Sequence, residues 1–370
     1  MSFPVDSGQS RRYLRDVLFT TVVTSARGRA RPFGRSARLV LLSLALAACS
    51  LAGCSKASAT KRSDGYETTV LRYQAYPTMV GFPELAQDLG FLAPLKLKYV
   101  GGTISGPQNI QAVATGDIEF GGAFNGAIVK LIAAKAPIKA VIAYYGSDAE
   151  TFSGFYTLPG TGIASARDLI GKKIAVNTLG AHAEFSLREY LTRGGLDEQE
   201  QKRVTMVVLP PSNAEQTLRE HQVDVAGMQT PLAERAAERG RLPLLFSDHQ
   251  LFGAFNAGSL VMTNRFIAEN PNTVRKFIEA TGKAIEWARN TPRAEVIERM
   301  IKVVQKRNPA DDTTQYKYWK TPTVWSKQGR LSDLDFQRWI DWLVKDGQLK
   351  QGQIEPGDLY TNEFQAEPGS

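Results

Sequence analysis

Residues 99–126 read YVGGTISGPQNIQAVATGDIEFGGAFNG. The spacing predicts a strand ending near Val100, a turn at Gly101 and Gly102, and a helix opened by Ser105-Gly106-Pro107. Ser105 is placed to cap that helix, and Pro107 suits its first turn. Ile110, Val113 and Ala114 give it one apolar face. Gly116-Asp117 stops it. Ile118 to Phe120 then read as a second short strand, Gly121-Gly122 as a second turn, and Asn125 as the cap of the next helix. Two strands thus end in glycine-rich turns that present backbone N–H groups. Helix starts of this kind bind anions without a cationic side chain. The same pattern also fits an ordinary βαβ unit with glycine turns, and it lacks the spacing of a phosphate loop.

The pattern repeats outward from this stretch. Before it come a strand at 69–75, a helix at 82–89 and a strand at 95–100. After it come a helix at about 126–135 and a strand at 138–145. Residues 146–166 interrupt the rhythm with Gly, Ser and Thr. A second block then alternates in the same way: strands at 174–176, 206–209, 223–228 and 243–246, with helices opening at 181, 213 and 231. Repeated βα units at this spacing predict mostly parallel sheets covered by helices. From 258 onward one more strand leads into helices. The longest runs to about Arg289 on a stripe of Val274, Phe277, Ile278, Ile285 and Ala288. Phe336, Trp339, Ile340 and Leu343 mark another buried face. Trp319, Trp325, Trp339 and Trp342 in this region read as packing residues.

The first 53 residues read as a leader. They hold eight Arg and no Lys against Asp6 and Asp16, followed by an apolar run from Leu39 to Ala48 that resumes through Gly53. A basic stretch before an apolar one of this length is a secretory signal rather than a permanent span, which needs about 20 residues. Leu51-Ala52-Gly53-Cys54 resembles the bacterial lipoprotein box, which makes Cys54 the expected lipidation site. Leu46-Ala47-Ala48-Cys49 fits the same pattern. Ser10 to Arg15 resembles a twin-arginine signal, and a start codon placed too early is the other account of the long leader. Removing the leader takes eight of 45 basic and two of 37 acidic residues, leaving 37 against 35. The high isoelectric point therefore belongs to the leader and gives no footing for nucleic-acid binding. The only two cysteines, Cys49 and Cys54, lie in this region, so the body is expected to have neither a disulfide nor a cysteine metal site.

Catalytic patterns are missing. His182, His221 and His249 are the only histidines, and they form no zinc-ligand pair. There is no Gly-x-Ser-x-Gly elbow and no Gly-Lys-Ser/Thr loop. No metal, no cofactor and no enzymatic activity are expected. What remains is a set of strand ends at Tyr76, Gly102, Gly121 and Gly180, and open α/β sheets bind ligands beyond such ends. Ser105, Asn125 and Thr178 are candidate donors to a ligand, with Tyr76 and Phe124 as candidate walls. Each equally suits a cap or packing role.

Several segments resemble one family. Gly106-Pro107 follows the second strand, and Ala112 to Gly121 reads Ala-x-x-x-Gly-Asp-Ile-Glu-Phe-Gly. Ala166 to Val176 reads ARDLIGKKIAV, and Gly180-Ala181-His182 opens a helix. Leu209-Pro210-Pro211, Phe266 with Pro271, and Asp341-Trp342-Leu343 follow in order. Together these resemble the substrate-binding proteins of bacterial ABC importers for nitrate, sulfonates, taurine and related molecules, over nearly all of the mature chain. The resemblance implies an α/β, two-lobed periplasmic-binding fold of type II, each lobe a mostly parallel sheet flanked by helices, with the ligand cleft between lobes. Lobe one would comprise 66–150 plus 256–370 and lobe two 151–255, after a leader at 1–53 and a tether at 54–65. The implied product is a monomeric, lipid-anchored periplasmic protein that captures a small, sulfonate-like organic anion and delivers it to membrane permease subunits. Feeding a sensor, or binding or processing a pyrimidine precursor, are the alternatives. By position the family's ligand contacts fall on Tyr76, Thr78, Ser105, Gly106, Phe124, Asn125, Ala181, His182, Gln229 and Thr230. Many relatives carry an aromatic-acidic pair where this chain has Gln229-Thr230 before Pro231. That difference repolarises the pocket and leaves aromatic sulfonates and neutral heterocycles open.

Overall fold

The computed structural model describes residues 65–77 and 79–365. The leader, Cys49, Cys54, most of the tether and Thr78 lie outside the described residues. The chain enters lobe one through β1 (Val70–Ala75), α1 (Phe82–Asp88), β2 (Lys96–Gly102), α2 (Gly106–Thr115), β3 (Gly121–Phe124), α3 (Asn125–Ala133) and β4 (Ile138–Ser147). It then passes to β5 (Ser153–Thr157), β6 (Lys173–Val176), α4 (His182–Arg193), α5 (Glu198–Lys202), β7 (Thr205–Val208), α6 (Ala214–Arg219), β8 (Val225–Gln229), α7 (Thr230–Ala237), β9 (Leu244–Ser247) and α8 (Asp248–Phe252). It returns through β10 (Phe255–Thr263) to α9 (Asn264–Glu269), α10 (Pro271–Asn290), α11 (Arg293–Arg307) and α12 (Leu334–Lys345).

The second sheet runs β7-β6-β8-β5-β9. The first lobe repeats this order as two pieces, β2-β1 and β3-β10-β4. The Glu119 N–H donates to the Arg72 carbonyl at 3.1 Å, linking β1 to the segment that leads into β3. One apolar core gathers the first-lobe strands with β10, α10, α11 and α12. Two smaller cores lie on the faces of the second sheet.

The sheets are mixed rather than mostly parallel. β1/β2, β6/β7 and β6/β8 are parallel, whereas β5 and β10 run antiparallel to both of their neighbours. These are the strands through which the chain enters each sheet from the other. β5 falls within the stretch read as a pause, because Ser153-Gly154 and Thr157 mask a strand whose centre is buried. β3 is displaced from its expected place. Ile118 to Phe120 precede it, and Gly121-Gly122, expected as a turn, are buried within the ladder to β10. Glycine is required there by crowding. A Cβ on Gly121 would fall 2.7 Å from Asn109 Oδ1, and one on Gly122 2.7 Å from the Tyr144 ring.

The helix from Gly106 starts as the sequence predicts. Ser105 is its N-cap, its hydroxyl accepts the Gln108 N–H at 3.4 Å, and Gly116 closes it in the left-handed conformation. Asn125 is not a cap. Phe124 occupies the cap position of α3 without a side-chain bond. The expected faces of α10 and α12 are buried as predicted. Trp339 is core, but Trp325 stands 65% exposed.

Candidate functional site

The two lobes meet at the starts of α2 and α4, which follow the carboxyl ends of parallel strands β2 and β6. Ser105 Oγ lies 3.1 Å from Thr178 Oγ1, and the Asn177 side-chain amide donates to the Ile104 carbonyl at 3.2 Å. The imidazole of His182, the first residue of α4, lies flat on the Phe124 ring. One turn on, Phe185 reaches into the first-lobe core. It sits edge-on to Phe124 at 5.0 Å and tilted on Trp342 at 4.4 Å. Two helix starts thus converge from opposite lobes; in α2 Pro107 carries no N–H and the Gln108 N–H is taken by Ser105.

Three tyrosines stand beside this junction. Tyr144 and Tyr145 lie in the last part of β4 with their rings edge to face at 4.9 Å, and Tyr145 lies 5.9 Å from His182. The β4/β10 register slips between Gly258 and Ser259, opposite these tyrosines. Such an irregularity interrupts strict alternation and re-aims side chains. The rings are seated on glycines: a Cβ on Gly258 would fall 2.1 Å from the Tyr145 ring. Burial raises the Tyr76 phenol to about 12. Burial and the neighbouring Tyr76 raise Tyr144 and Tyr145 further, with Tyr145 also contributing to Tyr144 and Asp248 to Tyr145.

Asp248 links the site to both crossovers. Its Oδ1 accepts the Ser147 hydroxyl at 2.8 Å and the Ser153 N–H at 3.0 Å, at the end of β4 and the start of β5. Its Oδ2 lies 3.2 Å from His182 Nε2. The carboxylate is fully buried and sits on the second crossover, between β9 and β10.

Of the residues expected from sequence, the structure brings together Ser105, Phe124 and His182, with Tyr76 beside Tyr144 and Tyr145. Gly106 is needed for contact with β3, since a Cβ there would meet Ala123 at 3.1 Å. Ala181 is buried and occupies the cap position of α4. Asn125 has no exposed surface. Its amide accepts from Ser259 Oγ at 2.7 Å and donates to the Asp335 and Asn256 carbonyls. The Thr230 hydroxyl is spent on both backbone groups of Phe152, and half-buried Gln229 ends β8. Glu184, the carboxylate nearest His182 in sequence, instead accepts the Gly180 N–H and pairs with Arg188. Sequence reading missed Tyr144, Tyr145 and Asp248. The only signal for the tyrosines was an adjacent pair closing a strand. For Asp248 it was Ser247-Asp248 at a helix start.

Among the described residues no cluster of three or more His, Cys, Asp or Glu is arranged to hold a metal, and no helix is long and apolar enough to cross a membrane. His182 Nε2 and Asp248 Oδ2 face each other without hydrogen-bond geometry, and the nearby Ser105 hydroxyl is already engaged by Gln108 and Thr178.

Comparison with known proteins agrees with this architecture. A provisionally named binding protein of Brucella abortus (strain 2308) is 26% identical over 273 residues, covering 70% of this chain and 79% of that protein. The alkanesulfonate-binding protein SsuA from Xanthomonas axonopodis pv. citri, bound to MOPS, is similar with a TM-score of 0.61 at 19% identity, covering 79% of this chain and 98% of that one. The periplasmic nitrate-binding protein NrtA from Synechocystis PCC 6803 gives 0.62 at 13% identity, with 81% and 88% covered. The desulfurization enzyme DSZB gives 0.54 at 17% identity, with 80% and 97% covered. These likenesses establish a shared two-lobed α/β fold. The NMT1/THI5-like family matches residues 85–295, more than half of the chain, and this protein belongs to that family.

Proposed function

We propose that this protein is the solute-binding component of an ABC importer, closing its lobes on a small ligand and presenting it to a membrane permease. The observation that carries this reading is the convergence of two helix starts from opposite lobes, joined at Ser105 and Thr178, beside a wall of Tyr76, Tyr144, Tyr145 and Phe124. Crossovers at 148–152 and 248–254 are the hinges, and lobes at 66–150 plus 256–370 and at 151–255 are the moving bodies. Anchoring through Cys54 on the periplasmic side of a membrane completes the reading.

The ligand is a small organic anion with an aromatic or apolar part. Backbone N–H groups, hydroxyls and the helix dipoles would hold its charge, since none of these needs a cation. Structural likeness to sulfonate and nitrate binders supports this class. Asp248 favours a second reading. A buried carboxylate 3.2 Å from His182 suits an uncharged heterocycle that donates hydrogen bonds, such as a pyrimidine. An enzyme reading rests on the likeness to DSZB and has only the His182–Asp248 pair to work with. Thermal-shift and calorimetric titration against an alkanesulfonate, an aromatic sulfonate, nitrate and a pyrimidine tests these together. Saturable binding of a sulfonate that Ser105→Ala and Thr178→Ala weaken supports the first. Binding of the pyrimidine alone supports the second. Turnover of any of them, lost in His182→Ala, overturns the binding-protein reading.

A further inference from the structure

Helix α7 of the second lobe carries Glu234 and Arg235, and at its C-cap Glu238, toward a first-lobe segment, 312–320, that follows α11. Arg235 Nη1 lies 2.6 Å from Asp312 Oδ2 and donates also to Thr314 Oγ1 at 3.3 Å. Lys320 Nζ lies 2.9 Å from Glu234 Oε1, and Lys317 pairs with Glu238. The first-lobe assignment of this segment rests on Tyr316, which is buried in the first-lobe core. The second-lobe assignment of α7 rests on Ala236, which is buried in a second-lobe core. The three pairs set Glu234, Arg235 and Glu238 of one lobe against Lys320, Asp312 and Lys317 of the other, so reversing the sign at any one position sets like charges together. Two of the pairs, Arg235–Asp312 and Lys317–Glu238, line a cavity of about 520 Å³ with Glu215, Arg239, Ser212 and Gln216, and the Lys317 and Glu238 side chains are 57% and 53% exposed.

We infer that this charge zipper is an electrostatic latch that biases the two lobes toward the closed arrangement before any ligand arrives, and that ionic strength tunes it. Every one of the three pairs joins one lobe to the other, so each opposes the separation of the elements it bridges. None contributes to the stability of either lobe alone. An exposed pair changes an equilibrium by about 1.4- to 5-fold, and three acting together multiply. Salt screens such charges strongly once the Debye length falls to about 3 Å near 1 M.

The inference rests on the reading that the lobes move, and its test needs no ligand. The full chain with Cys49→Ser and Cys54→Ser, labelled at Glu220→Cys and Lys306→Cys, reports lobe separation by single-molecule energy transfer. Lys317→Glu or Glu238→Lys alone is expected to lower the closed-to-open ratio at least threefold. The swap of both is expected to return it to within about twofold of the parent, which a merely local packing effect would not do. Raising NaCl from ~20 mM to ~1 M should lower the ratio in the parent, and much less in a Glu234→Gln, Arg235→Gln, Glu238→Gln triple variant. Reversals that leave the distribution unchanged, or a swap that fails to restore it, overturn the latch. That result would leave the binding reading to the titrations above.

Discussion

His182 lies flat on Phe124, with ring centroids 4.9 Å apart and planes within 2°. The two residues belong to different lobes, and Phe124 is also edge-on to Phe185 and Trp339. Phe124 therefore joins the first-lobe core to the start of α4. Phe124→Ala is expected to cost about 3–5 kcal/mol of stability, the range for a fully buried aromatic. His182→Ala, which removes a smaller ring set also beside Tyr145, Phe255 and Asp248, should cost less. Urea unfolding of the two variants checks the order. Equal losses would show that the stack does not anchor the junction.

Arg307 governs the loop that leaves β1. Its side chain is 3% exposed, pairs with Glu84 at 3.0 Å and Asp311 at 3.3 Å, and donates to the carbonyls of Tyr76, Pro77 and Met79. Tyr73 donates its phenol to the same Glu84 at 2.7 Å. Arg307→Ala strands a buried carboxylate and should cost ~3–5 kcal/mol. Arg307→Lys should rescue little, because a point charge cannot span carboxylate and carbonyls as a guanidinium does. Limited proteolysis should cut first at 76–80 in both variants. Protection there equal to the parent's would count against Arg307 as the holder of this loop.

The tyrosine wall predicts an alkaline limb. Burial raises the Tyr76 phenol to about 12 in the folded protein, whereas an unfolded tyrosine titrates near about 10. A group raised in the fold gives its stabilisation fully below the unfolded value and loses it as pH rises through the folded one. Stability should therefore fall between pH ~10 and ~12, and Tyr76→Phe should flatten part of that fall. Denaturant midpoints measured across this range decide it.

Glu215 predicts the acid limb. Burial pulls its carboxyl upward, but hydrogen bonds and charges from Arg239 and then Arg219 hold it below its ordinary value. A depressed carboxylate stabilises above its unfolded value, about 4.3, and the contribution is lost as pH falls through the folded one. Glu215→Gln should lower stability at pH 7 and shrink the loss on acidification. A variant whose acid profile parallels the parent's would remove Glu215 from this account.

Gly258 predicts a steric effect confined to the site. Its Cβ would fall 2.1 Å from the Tyr145 ring and 2.5 Å from the Ala123 carbonyl oxygen. Gly258→Ala should cost about 1–3 kcal/mol and change the near-ultraviolet dichroism of the tyrosines. An unaltered spectrum would place Tyr145 elsewhere.

Period and punctuation determined much of this protein from sequence alone. The Ser105 cap, the stripes of α10 and α12, and the alternation of strand and helix are local, since each depends on residues within one or two turns. Direction along a sheet is not local. The buried run of β10 and the disguised centre of β5 look alike whichever way they pair, so only the tertiary structure showed both to be antiparallel. Gly121 and Gly122 look like a turn because sequence shows missing side chains but not the Asn109 and Tyr144 atoms that require them. The same limit separates Ser105, Phe124 and His182, found at helix starts, from Asp248 and the paired tyrosines. Asp248 meets His182 across 66 positions of chain, and long-range closeness of that kind is decided by packing, which no local pattern encodes.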